Sequence, residues 1–241
     1  LHAAGATLLH CPTIEIVPPE SFAALDNALQ QLSASNCHYD WVLFTSKNAV
    51  TAVIERLAAQ GQPATRLNQC QILAVGKATA QALQHSGVTV TLVPTEFNAE
   101  GAVAALHDYC GAQLATSRFL FPRAAAGREV LVTALQNRGA TVDLVVAYDT
   151  QTPAALAQVL PAILQQIPDI TVFTSPSTWW NFGESIDPTK LTEVLSNTAI
   201  ACIGPVTAAA VVAAGFQPAI IPAQATAPAL SAAIAQYWAS R

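Results

Sequence analysis

Asp40-Trp-Val-Leu-Phe-Thr-Ser46 and Asp169-Ile-Thr-Val-Phe-Thr-Ser175 follow one pattern at an offset of 175 − 46 = 129. Each has an aspartate, a short apolar run, then phenylalanine, threonine and serine. A short apolar run closed by small hydroxyl residues is the mark of a buried strand passing into a helix N-terminus. Outward from there, Ile72-Leu-Ala-Val-Gly76, Thr79 and Gly87 return as Ile200-Ala-Cys-Ile-Gly204, Thr207 and Gly215, at 204 − 76 = 128, and Pro94 and Pro222 keep that offset. Each proline precedes a polar stretch and an alanine-rich helical pattern, Ala99–Leu106 and Pro228–Ile234. Self-similarity on this scale means two copies of one structural unit.

The third piece of the repeat is displaced. In the first copy Phe119-Leu-Phe-Pro-Arg123 reads as a strand, Gly127–Gln136 as a helix and Gly139–Tyr148 as the next strand. The counterpart of that passage lies at the start of the chain, where Leu1-His-Ala-Ala-Gly5-Ala-Thr7 resembles Leu135-Gln-Asn-Arg-Gly139-Ala-Thr141. One domain is therefore expected to be discontinuous, 1–15 with 151–241, and the other, 16–150, inserted into it. The same alignment places the counterpart of Phe119–Pro122 before Leu1, so a natural first strand is expected upstream. Strands are predicted at 8–17, 40–45, 71–75, 88–93, 118–122, 141–150, 169–174, 199–203 and 218–222. Helical spacing joins Val50, Val53, Ile54 and Leu57, and also Phe22, Leu25, Leu29 and Leu32. Alternation of apolar strands with helices argues for two similar α/β domains with parallel, flavodoxin-like sheets. Thr13–Pro18 and Ala147–Pro153 are the two crossings between domains. They are expected to pair as a two-stranded β-ladder hinge beside a cleft.

Composition narrows the function. Of 241 residues, 52% are hydrophobic and only 10% charged, so a large core is available and disorder is excluded. Glu193 and Arg241 enclose a stretch with no charge, but Gly204, Pro205, Gly215, Pro218, Pro222 and Pro228 cut it well short of the ~20 apolar residues of a spanning helix. A soluble, cytoplasmic protein without a membrane partner is expected. A net charge of −5 and ten scattered Lys and Arg supply no basic run, which excludes the usual footprint of nucleic-acid binding. Five cysteines in no metal or CxxC spacing (Cys11, Cys37, Cys70, Cys110, Cys202) read as reduced and mostly core residues. The chain starts at Leu1 and has no methionine, so this start is not read as an initiation site.

Ligands of open parallel sheets bind at the carboxyl ends of strands, where helix N–H groups point outward. Here those ends are Thr45-Ser-Lys-Asn48, Gly76-Lys-Ala-Thr79, Pro122-Arg-Ala-Ala-Ala-Gly-Arg128, Thr174-Ser-Pro-Ser177 and Gly204-Pro-Val-Thr207. Ser46, Ser175, Thr79 and Thr207 are equally what helix caps require, with Pro176 and Pro205 in the first turn as in any helix. The cations say more. Four of the ten, Lys47, Lys77, Arg123 and Arg128, fall in these loops of one domain, which suits a ligand with several carboxylates, although each also fits a solvated surface. His2, His10, His38, His85 and His107 all lie away from strand ends. The sequence has no GxGxxG after a strand and no GxxxxGK[ST]. A cofactor-free reaction with modest proton chemistry, or plain binding, is left. Tyr148, ending a strand at the hinge, is the titratable candidate; it is also readable as a core residue continuing the Val142, Leu144, Val146 face.

With Asp40–Val50, Ala74-Val-Gly-Lys-Ala-Thr79, Phe121-Pro-Arg123, Val146-Ala-Tyr-Asp-Thr150, Phe173-Thr-Ser-Pro-Ser177 and Cys202-Ile-Gly-Pro-x-Thr207 in this order, the chain resembles the uroporphyrinogen-III synthase family along essentially its whole length. The resemblance implies two α/β domains joined by a two-strand ladder. It also implies closure of hydroxymethylbilane, a linear tetrapyrrole with eight carboxylates, to uroporphyrinogen III, with inversion of ring D and loss of water, by a monomer without cofactor or metal. It assigns Tyr148 to departure of the hydroxyl. Substrate binding falls to Thr45, Ser46, Lys47, Gly76, Lys77, Thr79, Arg123, Thr174, Ser175, Pro176, Gly204, Pro205 and Thr207. A non-catalytic two-domain binding protein for an acidic metabolite is the rival reading.

Overall fold

The computed structural model describes residues 1–2, 5–32, 37–127 and 129–240. The chain divides into two compact units, a discontinuous one, Leu1–Glu15 with Gln151–Arg241, and an inserted one, Ile16–Thr150. The fold is α/β.

The sheet of the inserted unit contains β1 (Glu15–Val17), β2 (Trp41–Phe44), β3 (Gln71–Ala74), β4 (Arg118–Ala124) and β5 (Thr141–Gln151), in the order β1-β5-β4-β2-β3. The pairs β2–β3, β2–β4 and β4–β5 are parallel. Successive residues point to opposite faces. Val42, Phe44, Ile72 and Ala74 share one core with α1 (Ala23–Gln31), α2 (Lys47–Ala59) and α3 (Lys77–His85). Trp41, Leu43, Leu73, Phe119 and Phe121 share the other with α4 (Ala99–Cys110) and α5 (Val130–Gln136). Helices on both faces bury all four residues of β2, which explains why this run has no polar alternation.

From β2 the chain steps to β3 and on to a single bridge at Leu92, then returns across β2 to β4 and β5. Counted in chain order from β2, with that bridge as the third member, these strands read 3-2-1-4-5, whereas the flavodoxin order is 2-1-3-4-5. The reversal falls between β2 and β4. Their carboxyl ends flank the crevice where open α/β sheets bind ligands.

In the discontinuous unit, α6 (Leu156–Gln165) leads to β6 (Ile170–Phe173), α7 (Pro176–Glu184), α8 (Pro188–Ser196), β7 (Ala199–Cys202), α9 (Pro205–Ala213) and α10 (Ala227–Ala239). β6 and β7 pair in parallel, Ile170 with Ala199 through Phe173 with Cys202. Phe173, Trp179, Phe182, Ile200 and Cys202 form its main core, with Trp179 edge-on to Phe173. β2 has a strand on each side. β6 has only β7 among the described residues, and Val172 is 38% exposed.

Three expected strands shrink to three residues or fewer. Of 8–17 only Glu15–Val17 is strand; Leu8 and Leu9 are exposed, outside any strand. The runs 88–93 and 218–222 make one bridge each, at Leu92 and Ile220, as expected of sheet edges where pairing is one-sided. The helix read from Gly127 starts at Val130, and Arg128 lies outside the described residues. Among the described residues no helix is long and apolar enough to cross a membrane.

An ion pair fastens α1 to α2. The Arg56 guanidinium donates from Nε to Asp26 Oδ1 at 2.6 Å and from Nη2 to Oδ2, and also lies 4.3 Å over the Phe22 ring. These hydrogen bonds from Arg56 hold the Asp26 carboxyl below its ordinary range. A carboxyl with a depressed folded-state pKa stabilises above its unfolded value, about 3.9, and that contribution disappears as pH falls through the folded value. Asp26→Asn is therefore expected to lower the urea midpoint at pH 7 and to narrow its gap from the parent protein as pH drops below about 4. A pH-independent gap would contradict this.

Candidate active site

Ser46 and Tyr148 meet at the carboxyl ends of the inserted unit's strands, beside the reversal in strand order. Ser46 follows β2 and caps α2: extended backbone (φ −149°, ψ 150°) turns its Oγ back to accept from the Ala49 N–H at 3.1 Å. The same Oγ lies 3.1 Å from the Tyr148 hydroxyl. A serine hydroxyl has one proton and two acceptor positions. With Ala49 N–H on one acceptor position, Ser46 can donate to the Tyr148 oxygen and leave the phenolic proton free for a third atom.

Strand parity places Tyr148 with Val142 and Leu144, but the structure places it on the opposite face. Arg123 is opposite Val146 and the next residue, Ala124, is opposite Tyr148, so a β-bulge inserts Ala147. Val142 and Leu144 pack in the α4–α5 core, whereas Val145, Ala147 and Tyr148 pack with α2. Without the bulge the hydroxyl would lie on the wrong side of the sheet for Ser46. Tyr148 is 8% exposed, so the candidate site residue is also a core residue.

The four hydroxyls named from the repeat fall into two kinds. Ser46 and Ser175 cap helices as expected; at Ser175 the cap is reciprocal, since Thr178 N–H donates to Ser175 Oγ and Ser175 N–H to Thr178 Oγ1. Thr79 and Thr207 are not caps. Gly76 and Gly204 take the cap positions of α3 and α9, and the threonines stand three residues later, 4% and 3% exposed. Pro176 and Pro205 occupy first helical positions, Thr45 and Thr174 are exposed just before the serines, and Gly204 is buried.

The two glycines are required for different reasons. Gly76 has φ +93°, where a side chain would be strained. Gly204 is extended, but a Cβ there would stand 2.9 Å from Ala225 Cβ. At the repeat offset of 204 − 76 = 128, Ala225 matches Phe97, whose ring lies 4.0 Å from the Cβ position of Gly76 and is 55% exposed. The sequence motifs do not single out Phe97; extending the offset past Pro94 is the signal that finds it.

The cations differ as well. Lys47 and Lys77 stand in the first turns of α2 and α3, at least partly exposed, and the first turns of α2, α3, α7 and α9 contain no acidic residue. Lysine beside the positive end of a helix dipole destabilises the free protein and favours an anion. Arg123 instead is 8% exposed and turned onto its own loop, donating from Nε to Ala124 O at 3.0 Å and from Nη2 to Gly127 O at 2.9 Å. Its guanidinium shapes the loop after β4. A groove of about 490 Å³ runs from Tyr148 and Ala147 past Asn48, Thr51 and Glu55 to Phe22, within the inserted unit. Asn48 and Thr51 are further polar groups facing it. Among the described residues no three His, Cys, Asp or Glu gather as a metal site.

Residues 1–232 match the family model described as uroporphyrinogen-III synthase HemD. A curated uroporphyrinogen-III synthase of Synechococcus elongatus is 38% identical over 212 residues, 86% of this chain and 77% of the relative. One from Chlorobaculum parvum is 28% identical over 235 residues, 96% and 89% of the two chains. Among solved structures, a mutant uroporphyrinogen III synthase of Thermus thermophilus superposes with a TM-score of 0.66 at 19% identity, covering 99% of this chain and 91% of that one. The Helicobacter pylori uroporphyrinogen-III synthetase also gives 0.66, at 20% identity and 95% and 91% coverage. These two likenesses concern the fold.

Proposed function

The chain belongs to the uroporphyrinogen-III synthase family, and from that premise we propose how its residues close hydroxymethylbilane to uroporphyrinogen III. The observation that carries the reading is the Ser46–Tyr148 contact at the carboxyl ends of the sheet. The substrate's terminal hydroxyl leaves as water once Tyr148 supplies its proton. Ser46, anchored by the Ala49 N–H, steadies the oxygen left behind. The azafulvene so formed is attacked by ring D through its substituted carbon. The resulting spiro intermediate fragments and re-closes with ring D inverted.

Little else in the reaction demands strong acids or bases. The open-chain substrate closes spontaneously without inversion, so the protein must hold its ends where the inverted closure is faster. Lys47 and Lys77, the acid-free helix starts and the buried threonines Thr79 and Thr207 suit eight substrate carboxylates. Thr45, Gly76, Thr174, Ser175, Pro176, Gly204 and Pro205 line the same kind of strand-end loop in each unit. Arg123 acts from behind, through the loop it closes. Two similar domains hinged by a two-stranded ladder, acting as a monomer in the cytoplasm, complete the proposal; recurrence of the same loops in both halves of the sequence supports it. Incubation with hydroxymethylbilane is the test. The type III isomer is the expected product, and type I alone at the uncatalysed rate would overturn the reading.

A further inference from the structure

Two of the five thiols converge at the opposite, amino-terminal end of the strands. Cys37 stands shortly before β2 and Cys70 immediately before β3, 33 residues apart, with their Sγ atoms 3.1 Å from each other. Both sulfurs also lie 3.2 Å from the same acceptor, the Tyr39 carbonyl. Cys70 is buried and Cys37 is partly exposed. Tyr39 is itself fixed, since its hydroxyl donates to Asp143 Oδ2 at 2.9 Å on β5. The carbonyl that the two thiols share thus belongs to a residue tied to β5. Among the described residues no other thiol has a sulfur at hydrogen-bond distance: Cys202 sits in the core of the discontinuous unit with Cys11 packed against that core, and Cys110 packs against the α4–α5 core.

We propose that Cys37 and Cys70 form a reversible dithiol–disulfide modification site, oxidised by low-molecular-weight disulfides and separate from the strand-end site. The less buried sulfur reacts first. The Cys37 thiolate attacks one sulfur of the reagent, RSSR, forming Cys37–S–SR and releasing RS⁻, which takes up the proton that Cys37 lost. The Cys70 sulfur then attacks Cys37 Sγ, gives up its proton and expels the second RS⁻, which leaves as RSH. The two cysteines lose two electrons and the reagent gains them, so one RSSR becomes two RSH. Burial, with Cys37 alongside, pushes the Cys70 thiol well above its ordinary range. Attack by Cys70 is consequently slow until the mixed disulfide places a reactive sulfur beside it, and the reduced pair persists in the absence of oxidant. A bond here would close a loop containing β2 and α2, restricting the unfolded chain more than the folded one.

The experiment treats the full chain with glutathione disulfide, alkylates the remaining thiols under denaturing conditions and maps the peptides. The expected result is loss of two thiols together, a Cys37–Cys70 cross-linked peptide, alkylated Cys11, Cys110 and Cys202, and a raised melting temperature that returns to its starting value with dithiothreitol. Cys37→Ser is expected to leave Cys70 alkylated and the melting temperature insensitive to glutathione disulfide. Five alkylated cysteines, or glutathione retained on Cys37 with Cys70 still alkylated, would overturn the proposal. So would a cross-link joining any other pair. Turnover of hydroxymethylbilane is not needed to read either arm.

Discussion

Tyr148→Phe is expected to slow formation of the type III isomer by roughly 10²-fold or more, the usual scale for losing a positioned proton donor. The change removes only one oxygen. Phenylalanine fills the same space against Val145 and Ala147, and Ser46 keeps its bond from the Ala49 N–H. The loss in stability should stay at about 1 kcal/mol, that of one hydrogen bond. A stopped assay that separates type III from type I product reads the effect directly: the enzymatic isomer falls while the spontaneous one rises. Ser46→Ala gives the graded comparison, since it removes both the tyrosine's partner and a helix cap, the latter about 1 kcal/mol. Unchanged turnover in Tyr148→Phe, with folding intact, would take Tyr148 out of the mechanism.

The largest effect on stability is expected at Phe44. It is fully buried in β2, where it stands opposite Ala74 in the neighbouring strand, a large side chain beside a small one. Phe44→Ala removes a ring from the core shared with α2 and α3, and cavities of this kind cost about 3–5 kcal/mol. That is a large part of the stability of a typical domain, about 5–15 kcal/mol. Urea denaturation followed by tryptophan fluorescence should show an early transition. Phe44 also stands two residues before Ser46, so the surviving folded fraction should turn over more slowly than the parent. A loss under about 1 kcal/mol would mean that the surrounding side chains collapse into the space.

Much of the site is legible in the sequence because short-range chemistry sets it. Ser46 and Ser175 are caps since a serine after an apolar run has N–H groups to accept. Gly76 is glycine because its backbone turns left-handed. The repeat puts Thr79 and Thr207 at equivalent places in the two halves but suggests a capping role that the structure does not give them, because Gly76 and Gly204 stand at the cap positions and the helix turn carries the threonines inward. For Arg123 the sequence suggests a cation offered to a ligand or to solvent. Its burial and its bonds to Ala124 O and Gly127 O depend on how the loop after β4 folds back, which spacing alone does not encode.

By itself the sequence determined the duplication, the strand–helix alternation, the family and the candidate strand-end loops, all of which follow from local patterns repeated at a constant offset. Only the tertiary structure decided the strand order, with its reversal between β2 and β4, and the face on which Tyr148 lies. The physical reason is pairing. An added residue in β5 becomes a bulge only against β4, and the register between strands far apart in the chain moves the tyrosine across the sheet to Ser46.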